Sequence, residues 1–107
     1  MKMMTQEEIK KIRKTLYEGD ERLVMMFSAL SDPGRFRIIK LLMNQKDICV
    51  TDVANIFDIS VSAASQQLKI LEMIGLVRRE RMGQMICYEI KRGDPLVKAL
   101  LRILQSS

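Results

Sequence analysis

Histidine is absent from this chain of 107 residues, and its absence removes more chemistry than any other feature of the composition. Without imidazole there is no ordinary general base at neutral pH and no histidine ligand for zinc, nickel or cobalt. The five glycines form no phosphate-binding loop, and no paired carboxylates stand in a cleft-forming arrangement. An enzyme is therefore not expected, and no catalytic residue is assigned. Two cysteines are too few for a disulfide framework. Because Met1 to Lys11 lacks the apolar stretch of a secretory signal, reduced thiols are expected and a structural disulfide is not. No apolar run approaches the length that spans a bilayer, so a cytoplasmic protein without a membrane partner is expected. Repeats, linkers and low-complexity tracts are also missing. With 48% hydrophobic residues, residues 1–107 can form one domain around one core.

What is present starts with charge. Lysine and arginine outnumber aspartate and glutamate by 18 to 13, a formal balance of +5 that favours a polyanionic partner. Capping signals divide the chain into helices. Thr5-Gln-Glu-Glu8 has the capping-box pattern and precedes a stripe of Ile9, Ile12 and Leu16, which Gly19 closes. Asp20 is placed to cap a second helix carrying Leu23, Val24, Phe27 and Leu30. Ser31-Asp32-Pro33 ends that helix and starts a third, which runs to about Asn44. A short extended piece, Ile48 to Val50, leads to Thr51 as the expected N-cap of a fourth. Gly93-Asp94-Pro95 repeats the start signal before a last helix with a wide apolar face.

The most informative stretch runs from Thr51 to Val77 and reads as two short helices joined by a tight turn, a helix-turn-helix. Ser60 is the expected N-cap of the second helix and Gly75 its left-handed terminator, giving a helix over 60–74. On a helical wheel Val61, Ala64, Leu68, Leu71 and Ile74 share the core side. Ser62, Gln66, Lys69 and Met73 share the other, where hydrogen-bonding side chains suit a major groove. Next come two strand-like runs around Gly83-Gln84, a hairpin over 78–90 that forms a wing. Arg78, Arg79 and Arg81 on its first strand are placed to grip phosphate. In the second strand Ile86, Tyr88 and Ile90 are expected to face the core, with Met85, Cys87 and Glu89 on the outer face. The fold class is mainly α, an α+β winged helix with about five to six helices and a two-stranded hairpin.

The first and last helices lie outside a minimal winged-helix core, and each has an apolar stripe that pairing across a twofold axis would bury. A homodimer is expected, with Ile9, Ile12, Leu16, Val97, Leu100, Leu101 and Leu104 at the interface. Its two recognition helices, about 34 Å apart, would enter successive major grooves of near-palindromic double-stranded DNA.

Three segments carry a family resemblance: ALSDPGRFRIIKLL, then DICVTDVA, then SVSAASQQLKILEMIGLVRRERMGQMICYEI. Over about residues 23 to 92 the chain resembles the ArsR/SmtB family of bacterial winged-helix repressors. Its most telling parts are Asp32-Pro33 with Arg35, the spacing of Ser62, Ser65, Leu68, Lys69 and Leu71, and Gly75-Leu76-Val77 before the wing. The resemblance implies a dimeric operator-binding repressor, built through its first and last helices, whose DNA affinity responds to a small-molecule effector that the sequence does not identify. It also implies DNA contacts at Ser62, Ala63, Ser65, Gln66 and Lys69, and on the wing near Arg81 and Gln84.

The family's sensing chemistry carries over poorly. Members that sense soft metals near the first helix of the motif carry Cys-x-Cys, and the matching positions here are Cys49 and Thr51. A second kind of site uses histidines with carboxylates on the last helix, where this chain offers only Asp94. Oxidant sensors in the family place cysteines on the third and last helices, and those positions hold none here. No metal or other cofactor is expected. The nine methionines read as core and interface filler. Cys49, preceding a helix N-terminus that favours a thiolate, is the candidate thiol sensor. Two alternatives to plain operator binding stand beside it: a winged-helix module that binds protein instead of DNA, and a thiol-responsive repressor using Cys49.

Overall fold

Four helices begin at a residue whose side chain was legible as a cap. A computed structural model of the chain describes residues 2–19 and 21–106. Helix α1 (Gln6–Tyr17) opens on a full capping box, with Thr5 Oγ1 accepting from the Glu8 amide at 3.1 Å. Helix α2 spans Glu21–Leu30; the cap expected of Asp20 falls outside the described residues. Asp32 Oδ2 accepts from the Arg35 amide at 3.0 Å and starts α3 (Pro33–Asn44). Ser60 Oγ accepts from the Ala63 amide at 3.0 Å at the head of α5 (Val61–Met73), and Asp94 Oδ1 from the Leu96 amide at 3.0 Å at the head of α6 (Pro95–Gln105). Each such bond satisfies a donor that the first helical turn leaves orphaned, a contribution of about 1 kcal/mol.

Helix α4 (Val50–Phe57) departs from expectation at its start. Its N-cap is Cys49 and not Thr51, because the Asp52 carboxylate reaches back to accept from the Cys49 amide at 2.8 Å. Asp58 then ends the helix in the left-handed region, at φ 52°. Aspartate tolerates that conformation better than most residues, and it lets the Ile59 amide donate to Ala54 O at 3.0 Å. The turn between α4 and α5 is tight for this reason.

The sheet has three strands, one more than the expected hairpin. β2 (Val77–Met82) and β3 (Met85–Ile90) pair antiparallel in the register Val77 to Ile90 and Met82 to Met85. Gly83, at φ 64°, supplies the positive angle of their two-residue turn. β1 (Ile48–Cys49) pairs with the far edge of β3, giving the order β1-β3-β2. The extended piece before α4 thus makes β3 a central strand. That explains a further departure: Cys87, expected on an outer face, is buried together with Tyr88, because β3 is flanked on both edges and covered by α3 and α4.

Ala64, Leu68 and Leu71 turn the inner side of α5 onto a core shared with Met26, Ile38, Ile39, Val53, Leu76 and Val77. Burying a leucine of this kind contributes about 2 kcal/mol. Val61, expected on that side, is exposed at the helix's first turn. On α2 the core residues are Met26 and Ala29, while Val24 and Phe27 of the expected stripe stay exposed. Helix α6 packs most of its apolar face inward and leaves Ile103 exposed. Val97, Leu100, Leu101 and Leu104 are buried within the chain itself. These are the α6 residues expected at a dimer interface, and within one chain they already contribute to its core.

Candidate nucleic-acid interface

Helix α5 keeps its polar side open. Ser62, Gln66 and Lys69 are exposed, and Ala63 and Ser65 are half-buried, while the residues between them close the core. The amphipathic split follows from the 3.6-residue period. It leaves a run of short hydrogen-bonding groups and one ammonium on a helix whose N-terminus is anchored by Ser60 and whose C-terminus is turned by Gly75, at φ 83°.

The wing stands against this helix. A cleft of about 350 Å³ is lined by Ser65 and Lys69 from α5, Thr51 from α4, and Arg79 and Gln84 from the hairpin. Four of the expected DNA-contact residues, Ser65, Lys69, Arg79 and Gln84, are thus brought to one place. Tyr88 also lines this cleft. Burial pushes its phenol pKa up, Glu72 adds to the rise and Arg79 opposes it, so the hydroxyl is a neutral donor across the physiological range.

The three wing arginines are not equivalent. Arg79 pairs in register with Tyr88 and lines the cleft, whereas Arg78 pairs with Glu89 and its guanidinium is bound by the Glu89 carboxylate. Arg81 donates from Nε to Gly83 O at 3.1 Å and braces the tip of the hairpin. Of the three, Arg79 is the one that lines the cleft beside α5.

Arg35, one of the residues that carry the family resemblance, makes a contact behind the helix that spacing alone did not show. Half-buried Arg35 donates from Nε to Ala29 O at 2.9 Å and from Nη1 to Gln67 Oε1 at 3.0 Å. The guanidinium ties the end of α2, the head of α3 and the inner side of α5 together. Its role is structural.

The cysteines supply the largest correction. Cys49 lies opposite Cys87 in the β1–β3 register, and the structure joins them in a disulfide where none was expected. Sequence spacing held no sign of it, since the two residues are 38 apart. The signal is the third strand, whose pairing partner decides which side chain meets Cys87.

Residues 32–79 match the family model described as bacterial regulatory protein, arsR family. The cadmium resistance transcriptional regulatory protein CadC of Listeria innocua is 38% identical over 65 residues, covering 61% of this chain and 55% of that protein. The chain thus spans little more than half the length of that relative. A CadC homolog of Staphylococcus aureus is 30% identical over 97 residues, covering 90% of this chain and 78% of that protein. The chain belongs to the arsR family of bacterial regulatory proteins. Among solved structures, the transcriptional regulator HlyU of Vibrio vulnificus superposes with a TM-score of 0.68 at 28% identity, over 92% of this chain and 95% of that one. A homodimeric winged helix-turn-helix domain from Mycobacterium bovis gives 0.69 over 99% and 88%, at 23% identity, and shows the fold alone.

Cadmium figures in the names of these relatives, yet the residues here do not fit a soft-metal centre. The Cys49 sulfur is engaged by Cys87. Among the described residues no group of three or more cysteine, aspartate or glutamate side chains comes together as a ligand set.

Proposed function

We propose that this arsR-family chain is a homodimeric transcriptional repressor that binds a near-palindromic operator, with α5 in the major groove and the β2–β3 wing beside it. The observation that carries the reading is the division of α5. Ser62, Gln66 and Lys69 are exposed on one side and Ala64, Leu68 and Leu71 are sealed in the core on the other, beside a wing arginine. Small hydrogen-bonding groups and a lysine suit base edges and phosphates together.

Dimerisation rests on α1, not on the inner face of α6. No described residue of α1 is buried. Ile12 and Leu16 are 43% and 72% exposed on a helix that would not stand alone in water. Burying that stripe against a second copy gives the helix a reason to form. Ile103, exposed on α6, is the side chain of the last helix left to join it.

Selection of bound duplexes from a random pool tests the reading. An imperfect palindrome is expected, bound with an affinity that falls steeply as salt rises. Replacing Gln66 or Lys69 by alanine should weaken binding to it by roughly ten-fold or more. Recovery of no preferred sequence, or full binding by both variants, would refute the assignment of α5. A protein-binding module would in addition tolerate loss of the wing arginines.

A further inference from the structure

We propose that Cys49 and Cys87 are a thiol–disulfide exchange site, taking a small anionic disulfide of the glutathione type as co-reactant, which sets the rigidity of the wing and through it DNA affinity. The effect on DNA rests on the function proposed above; the exchange site does not. Its basis is placement. Cys49 is the last residue of β1 and the N-cap of α4, the first helix of the helix-turn-helix, and Cys87 faces it from the central strand of the wing. The loop the bond closes contains α4, α5 and β2, that is, both walls of the cleft between recognition helix and wing. β1 is held to β3 by two residue pairs only, and the sulfur bridge adds a covalent tie between the head of α4 and the hairpin.

Access and chemistry agree with the placement. Both cysteines are buried, but Cys49 lines the cleft that opens beside Lys69 and Arg79. Two cationic groups in the lining favour a co-reactant carrying carboxylates, and a helix N-terminus favours the thiolate that must attack. The Cys49 thiolate attacks one sulfur of the small disulfide. That S–S bond breaks, one small thiolate leaves, and a mixed disulfide stands on Cys49. The Cys87 thiolate then attacks the Cys49 sulfur and expels the second small thiolate. Two protein thiols are oxidised, one small disulfide is reduced to two thiols, and the two protons pass to the leaving groups. In the bonded state the walls carrying Ser65 and Lys69, and Arg79 and Gln84, are fixed relative to each other. Less ordering is then needed when DNA is bound.

The experiment treats the full chain with oxidised glutathione or with dithiothreitol and reads three quantities on each state: intact mass, backbone hydrogen exchange over residues 77–90, and affinity for the duplex recovered by selection. Oxidised glutathione is expected to remove two hydrogens from the protein and slow exchange in the wing. DNA binding should tighten on the order of three- to ten-fold, as preorganisation predicts. Cys87→Ala and Cys49→Ala, checked for native circular dichroism, should be fixed at the reduced-state affinity and insensitive to the treatment. Thiols that stay free, or a bond that forms without slowing exchange in the wing, overturn the proposal with no variant required. Equal or weaker DNA binding by the bonded form overturns its regulatory half. Bond formation with slowed exchange in a chain that binds no DNA in either state would uphold the exchange site and refute the operator reading instead.

Discussion

Asp94 shows how much one carboxylate can hold. Its Oδ2 accepts from Arg22 Nη2 at 2.6 Å, while Oδ1 caps α6 through the Leu96 amide. The hydrogen bond from Arg22 is the main cause of a pKa below the usual aspartate range; desolvation, next in size, opposes it, and the Leu96 amide, the guanidinium charge and the Val97 amide add to the lowering. A carboxylate whose pKa falls on folding stabilises the native state fully above its unfolded value, near 4, and that contribution disappears as pH drops through the lower folded value. Asp94→Asn keeps a capping oxygen but loses the charge opposite Arg22. Its urea midpoint is expected to lie below that of the parent at pH 7, and the two curves should converge only below about pH 4. Parallel midpoints from pH 7 to pH 3 would show that the ion pair contributes nothing. The same carboxylate was legible in the sequence as the cap in Gly93-Asp94-Pro95, but its arginine partner, 72 residues away, was not. A cap is a local bond between neighbours, and an ion pair between α2 and α6 needs the packing first.

At the scale of elements, the wing separates what pattern reveals from what topology decides. The turn at Gly83 and the two runs around it were readable because hairpin chemistry is local, and so were the caps and the polar side of α5. The extended piece at Ile48 to Val50 was readable too, but its pairing with β3 was not. Two residues, Ile48 and Cys49, are too few to carry a period, and their pairing with β3 buries Cys87 and sets it against Cys49. The arginines divide in the same way: sequence places three on one strand, but only the register shows that Arg78 faces Glu89 and Arg79 faces Tyr88 and the cleft. This difference is measurable. Arg79→Ala is expected to lower the slope of log affinity against log salt by about 1, the value for one phosphate contact, and to weaken binding to the selected duplex. Arg78→Ala, which removes a charge already bound to Glu89, should change the slope by much less. Equal effects of the two substitutions, read from binding isotherms at four or five salt concentrations, would mean that the register does not govern which arginine meets DNA.

For the whole molecule, the decisive fact is shape. The radius of gyration is 18.3 Å and the longest extent 63 Å, against a radius of about 13 Å for a compact chain of this length. The excess comes from α1, which buries no residue against the rest of the chain, whereas α6 closes the core with Val97, Leu100, Leu101 and Leu104. The two terminal helices carry similar apolar stripes in the sequence and have opposite fates, because periodicity shows that a face must be covered without showing by what. The asymmetry makes a dimer testable without disturbing the fold. A glutamate at Leu16 places a charge in the exposed stripe of α1 and touches no core residue, so the thermal stability of the winged-helix body should change little. In a dimer closed through α1 the same charge would be buried without a partner, costing several kcal/mol of association free energy. Leu16→Glu is therefore expected to sediment as a monomer at micromolar concentration where the parent sediments as a dimer, and to bind a single half-site far more weakly than the parent binds the full palindrome. The reverse design, Ile103→Glu on α6, should weaken the dimer less if α1 supplies most of the buried area. A parent chain that sediments as a monomer, or a Leu16→Glu variant that stays dimeric, would break the link between the exposed arm and the two-fold operator.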